Sequence, residues 1–182
     1  MELARDITPY HGDVIDSARK LACAEHAKHR HGALPYTYHL TAVTGLVSCF
    51  STDPDVIAAA WLHDIVEDCE DIDLEVVEQM TNRRVRDIVD RLTDPPGPRA
   101  LAKQVSMPRI LFCPDASLIK LCDRFHNHAS TLMDKSMKHA ILYLEEFDAF
   151  LEGFERAEHP RTGPLIALIS MQRGPLMRLV NG

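Results

Sequence analysis

The chain has no C-x-x-C spacing and no even set of cysteines: Cys23, Cys49, Cys69, Cys113 and Cys122 are scattered over 182 residues. A disulfide framework or thiolate zinc knuckle is therefore not expected, and a reducing cytoplasm is the simplest setting. Also missing are an apolar run long enough to span a bilayer and an N-terminal leader of charged, apolar and small residues. Basic side chains are in deficit, with 20 Lys and Arg against 27 Asp and Glu. The net charge of −7 argues against broad binding to nucleic acid or anionic membrane. Alternating β-branched runs of strand length are absent too, so the expected fold class is all-α. There is no internal repeat or low-complexity tract, and nothing in the composition speaks to oligomeric state.

What is present is helical periodicity. The content, 46% hydrophobic and 26% charged, suits an ordinary globular protein, and the length suits one domain over residues 1–182. Leu118, Leu121, Cys122, Phe125, Ala129 and Leu132 recur at helical spacing, as do Val85, Ile88, Val89 and Leu92. Ala140, Leu144, Phe147, Leu151 and Phe154 mark a further amphipathic helix. Asp53 before Pro54 reads as an N-cap followed by proline at the first helical position, and Asp13 and Asp73 suit the same capping role. Gly32 to Pro35 and Asp94-Pro95-Pro96-Gly97-Pro98 interrupt the helices. Pro108 is expected to break or kink the segment between that second loop and the helix near residue 115. The motif-bearing core spans about 13–155. Pro160 to Pro164 reads as a linker within a packing segment of about 160–182, whose apolar part is Leu165 to Met171.

The chemistry concentrates in Ala60-Trp61-Leu62-His63-Asp64-Ile65-Val66-Glu67-Asp68. Taken as one helix, this stretch sets Glu67 beside His63 and Asp64, and Asp68 beside Asp64. Four ionisable groups on one partly buried face are costly unless they hold a metal or share protons. Two further pieces accompany it: the Gly/Pro turn that runs from Arg30 to His39, and Asp123-Arg124-Phe125-His126-Asn127. Asp123, Asn127 and Ser130 share a polar stripe there, with Lys120 and Arg124 supplying positive charge. His39, His63, Asp64 and Asp123 together offer two imidazoles and two carboxylates. That mixture suits a divalent ion that tolerates water ligands, Mn²⁺ ahead of a closed structural zinc site. Such an ion polarises a phosphate oxygen and lowers the pKa of a water, with Glu67 and Asp68 placed to move protons. Cys122 beside Asp123 falls in the apolar stripe and reads as core. His26, His29, His126 and His128 read as surface, core or supporting residues, while His11 and His159 carry no signal.

The order R-x8-H, H-D-x-x-E-D, D-R-x-H-N resembles the HD-domain hydrolases of the Rel/SpoT type, the free-standing small alarmone hydrolases above all, from about Lys20 to Tyr143. The resemblance implies an HD-domain helical bundle that uses one Mn²⁺ to remove pyrophosphate from the 3′ position of guanosine tetra- or pentaphosphate. It also implies that His39, His63, Asp64 and Asp123 are the metal ligands and that Glu67 and Asp68 position or activate water. By the same resemblance Arg30 and Asn127 contact substrate, Ser130 holds a small-hydroxyl position, and Tyr143 lies near the nucleotide. The departures fall on the substrate side. His31 stands where a second basic residue is usual, Gly32 is displaced by one, and His139 replaces a basic residue one turn before Tyr143; the loop of Pro95, Pro96 and Pro98 is unusual. His31 and His139 are carried as substrate-side candidates. The expected partner is a small phosphorylated nucleotide. An adenosine alarmone, a nicotinamide dinucleotide phosphate or a pyrophosphorylated RNA end is the alternative substrate, and a non-catalytic nucleotide sensor is the third reading. With the hydrolase-like region taking up most of the chain, a separate synthetase is not expected.

Overall fold

A computed structural model describes residues 13–182, so His11 lies outside the described residues. Local signals set the helix ends. Asp13 accepts from the Ile15 amide at 3.0 Å and opens α1 (Val14–Glu25), which tightens into a 3-10 turn at His26–Lys28. A small antiparallel hairpin follows, β1 (Arg30–His31) against β2 (Leu34–Pro35), turning at Gly32 with φ +58°. Helix α2 spans Tyr36–Ser48, and Asp53 caps α3 (Pro54–Trp61) by accepting from the Asp55 amide at 3.0 Å. After the short α4 (Ile65–Asp68), Asp73 caps α5 (Leu74–Met80) and Asn82 caps α6 (Arg83–Leu92). Each cap side chain takes an orphan amide of the first turn.

Helix α7 (Arg99–Leu111) begins beyond the proline loop and continues through Pro108, which cannot donate to the Gln104 carbonyl one turn earlier, before ending three residues later. The long helices α8 (Pro114–Met133), α9 (Met137–Ala157) and α10 (Gly163–Asn181) complete the chain. The fold is all-α, as expected; the hairpin is the exception among the described residues.

One expectation is corrected. The segment Ala60 to Asp68 is not a single helix: α3 stops at Trp61 and α4 starts at Ile65. In a continuous helix the Ala60 carbonyl would accept from the Asp64 amide. Here the His63 ring takes it, with Nδ1 2.8 Å from Ala60 O. The backbone turns instead through bonds of i to i+3 type, Leu62 N to Ala59 O and Ile65 N to Leu62 O, both 3.1 Å.

Alanines at 58, 59 and 60 are fully buried, and their small side chains let α3 pack closely against α1, α2 and α6. Helix α8 is central: it touches α2, α3, α6, α7, α9 and α10, and Leu118, Ile119, Leu121 and Cys122 are fully buried along it. Helix α10 is longer than its apolar stretch suggests and buries Leu165, Ile169 and Leu176 while packing on α8 and α9. No helix among the described residues is long and apolar enough to cross a membrane.

Candidate metal centre and catalytic cavity

Three elements bring the expected ligands together. Helix α2 contributes His39, the α3–α4 break contributes His63 and Asp64, and α8 contributes Asp123. His39 Nε2 lies 3.3 Å from His63 Nε2 and 3.5 Å from Asp123 Oδ1. Asp64 Oδ2 lies 2.9 Å from His63 Nε2 and 3.6 Å from His39 Nε2. Donors about 2.0–2.2 Å from one divalent ion are spaced about 3 Å apart, so this set fits an ion. His39, His63 and Asp123 converge with all donor atoms within 4.8 Å of one another, and Asp64 joins through its contacts with both imidazoles. The helix break is what aims His63 and Asp64 at the same point; in a regular helix, neighbouring side chains diverge by about 100°.

Supporting bonds orient each candidate ligand. A carbonyl only accepts, so His63 Nδ1 carries the proton toward Ala60 and leaves Nε2 facing the cluster. His39 Nδ1 is held by His126 Nδ1 at 2.9 Å, again turning Nε2 inward. The Tyr36 hydroxyl donates to Asp64 Oδ2 at 2.6 Å. Asp123 is held by Lys120 Nζ at 2.9 Å and accepts from Asn127 at 2.5 Å.

Charge is balanced within the cluster. Burial opposes charge on Asp64 and Asp123, yet His63 and His39 hold Asp64 well below the usual carboxylate range, and Lys120 and His63 do the same for Asp123. Asp64 and Asp123 outweigh burial at His63 and raise it to about 9. Lys120 is likewise pushed up despite burial, by Asp123 and Asp64. Glu67 and Asp68 keep solvent access, but crowding by the cavity walls and the Asp64 charge raise both carboxyls.

The cluster opens on one cavity of about 190 Å³, with His63 behind its lining. It is lined by His39, Asp64 and Asp123, by Glu67 and Asp68, and by Arg99, Lys103, Lys120 and Arg124, with Tyr36, Asp94, Asn127 and Tyr143 completing it. The basic wall was not foreseen from the sequence apart from Lys120 and Arg124. Arg99 and Lys103, four apart at the start of α7, carry a one-face spacing that would have found them. Asp94, in the proline loop, ties the two walls: its amide donates to Glu67 Oε1 at 2.7 Å and its carboxylate sits 2.6 Å from Lys103 Nζ.

Residues 17–141 match the HD domain family model. The chain belongs to the HD domain family. It is 32% identical over 121 residues to the guanosine-3′,5′-bis(diphosphate) 3′-pyrophosphohydrolase MESH1 of Xenopus tropicalis, covering 63% of this chain and 67% of that one. The Mus musculus protein of the same name is 32% identical over 124 residues, covering 62% and 69%. A probable guanosine-3′,5′-bis(diphosphate) 3′-pyrophosphohydrolase of Synechocystis sp. is 33% identical over 107 residues; the match spans 51% of this chain and 13% of that protein's length. Among solved structures, a metazoan ortholog of SpoT that hydrolyses ppGpp and plays a role in starvation responses superposes with a TM-score of 0.74. At 23% identity over 92% of this chain and 99% of that one, the likeness establishes the HD-domain fold.

Not every substrate-side candidate reaches the cavity of this HD domain. Asn127 and Tyr143 line it. Arg30 bonds back to the Ala33 carbonyl across its own hairpin and lines an adjoining hollow with His29, Tyr36 and Asp68, the last two shared with the cavity. His31 stacks on the outer side of the cluster, its ring 4.5 Å from that of His39 at 16°. Ser130 lies one step behind His39, 3.5 Å from His126 Nδ1. His139 is exposed and bonds Ser136 at 3.1 Å.

Proposed function

We propose that this HD-domain protein is a divalent-metal-dependent hydrolase that removes the 3′-pyrophosphate of guanosine tetra- or pentaphosphate, giving GDP or GTP. The observation that carries the reading is one cavity that joins the buried His39, His63 and Asp123 cluster, with Asp64 against both imidazoles, to an acidic pair and four basic side chains. The names of the relatives support the choice of substrate. His39, His63, Asp64 and Asp123 would hold the ion, and their mixed nitrogen and oxygen donors favour Mn²⁺. When bound, the ion supplies Lewis-acid polarisation of a phosphate oxygen and a lowered water pKa.

The chain's own groups do the rest. Burial and the Asp64 charge push the Glu67 and Asp68 carboxyls up from their ordinary values, the direction that makes a carboxylate a better proton acceptor. They hold the attacking water and take its proton as its oxygen bonds to the 3′-linked phosphorus. The bond from that phosphorus to the 3′ oxygen breaks, pyrophosphate leaves, and the 3′ oxygen is protonated from the same acidic pair. Lys120, kept charged by Asp123 and Asp64, and Arg99, Lys103 and Arg124 neutralise the diphosphate and the charge that develops on it. Asn127 and Tyr143 face the nucleotide. The free thiols of all five cysteines fit a reducing cytoplasm.

The test offers the purified protein with Mn²⁺ a panel of phosphorylated nucleotides, including adenosine alarmones, NADPH and 5′-pyrophosphorylated RNA, and follows pyrophosphate and orthophosphate release. Pyrophosphate release from guanosine tetra- and pentaphosphate is expected. Absence of release from both overturns the reading, and tight nucleotide binding without any release would assign a sensor instead.

A further inference from the structure

A second set of soft ligands lies beside the catalytic cavity and takes no part in the chemistry above. The 3-10 turn that closes α1 spaces His26 and His29 three residues apart, with their Nδ1 atoms 3.0 Å apart and ring centroids at 5.1 Å. Cys69, at the end of α4, brings Sγ to 3.9 Å from His26 Nε2. The three side chains offer ligand atoms that all lie within 4.8 Å of one another. His26 and Cys69 are buried, whereas His29 is half-buried and borders a hollow of about 270 Å³ shared with Glu25, Asp68, Cys69, Glu70 and Asp71.

We propose that His26, His29 and Cys69 form a zinc site separate from the His39 centre, with water from the acidic hollow completing the coordination. A tetrahedral ion with nitrogen at about 2.0 Å and sulfur at about 2.3 Å holds those two donors roughly 3.6 Å apart, close to the 3.9 Å between His26 Nε2 and Cys69 Sγ. His26 would therefore ligate through Nε2, its Nδ1 contact to His29 being a link between the two rings, with His29 offering a ligand atom within 4.8 Å of the others. Two imidazoles and a thiolate select zinc, whereas the nitrogen and carboxylate set around His39 accommodates Mn²⁺; the two centres differ in chemistry as well as place. The hollow supplies an entry path whose acidic walls attract a cation. Binding breaks the Cys69 S–H bond, sends the proton to solvent and forms a sulfur–metal bond. Burial raises the Cys69 thiol to about 11, so affinity rises with pH. Because Asp68 immediately precedes Cys69, an ion there clamps the end of α4, and with it Asp68, to the end of α1.

The experiment strips the full chain with chelator and reloads it with Co²⁺ as a spectroscopic stand-in for Zn²⁺, alongside elemental analysis after loading with Zn²⁺ or Mn²⁺. The expected results are a sulfur-to-cobalt charge-transfer band in the wild type, its retention in His63→Ala, and its loss in Cys69→Ser. His29→Gln, at a half-exposed position, should weaken Zn²⁺ binding at least about tenfold while Mn²⁺ content stays unchanged. Absence of the band in the folded wild type, or undiminished zinc in both Cys69→Ser and His29→Gln, overturns the proposal. Failure of nucleotide hydrolysis would leave these readouts untouched, so the two readings fail separately.

Discussion

Three side chains converge on Asp64: it meets both imidazoles and accepts the Tyr36 hydroxyl at 2.6 Å. Replacing Tyr36 with Phe removes only that donor and leaves the ring stacked on His26, 4.6 Å away. The expected result is a loss of about 10–100-fold in metal affinity or turnover, read by metal titration and pyrophosphate release, with little change in stability. Unchanged affinity and rate would show that the hydroxyl does not orient Asp64. The ligands themselves should behave differently from the acidic pair. His63→Ala and Asp64→Ala are expected to lose bound metal and activity together, while Asp68→Ala keeps metal better than activity. Elemental analysis beside the rate assay checks this, and full metal content in the first two variants would refute the ligand assignment.

Helix ends and turns carry the next layer of control. Gly32 turns the hairpin that leads into α2, at φ +58°, and an added Cβ would collide with the Asp134 carboxylate. Gly32→Ala should therefore cost at least about 1–2 kcal/mol by denaturant unfolding, and a neutral result would mean the hairpin relaxes freely. Between α7, α8 and α9, Glu146 meets Arg99 at 2.8 Å and Arg124 at 2.8 Å. Burial opposes the Glu146 charge, but the two guanidiniums win and pull its carboxyl down to about 2. A depressed carboxylate stabilises the fold fully above its ordinary pKa near 4.5 and loses that contribution as pH falls through about 2. Glu146→Gln should be less stable than the wild type at neutral pH, with the gap closing across that acid window. Urea midpoints at several pH values measure it, and a gap independent of pH would remove Glu146 from the ionised network.

Across the molecule, α8 is the axis around which the site and the core are both built. One stripe of it buries Leu118, Ile119 and Leu121, while Lys120, Asp123, Arg124 and Asn127 line the cavity. Helix α10 closes the far side of the fold on α8 and α9. Truncating its fully buried Ile169 to Ala should cost about 2–5 kcal/mol, measured by chemical denaturation. A cost within the range of surface substitutions, about 0.5 kcal/mol, would show that α10 is not part of the cooperative core. The overall charge of −7 coexists with a local wall of four basic side chains, which is how an acidic protein presents a surface to phosphate.

Much of this was legible in the chain because it depends on neighbours in sequence. Asp13, Asp53 and Asp73 announce their helices, since a cap bonds an amide two or three residues away. The apolar stripes of α6, α8 and α9 follow helical spacing, and His39, His63, Asp64 and Asp123 stand out by residue type. Tertiary structure decided what depends on distant groups. It broke the helix at His63, where a side chain outcompeted an amide for the Ala60 carbonyl, and so turned adjacent His63 and Asp64 onto one point. It placed Arg99 and Lys103 across from Glu67 and Asp68, and left Arg30 and His139 outside the cavity. Hydrogen-bond competition, burial and electric field are set by three-dimensional neighbours, so the sequence alone determined which groups are available and the fold determined which of them meet.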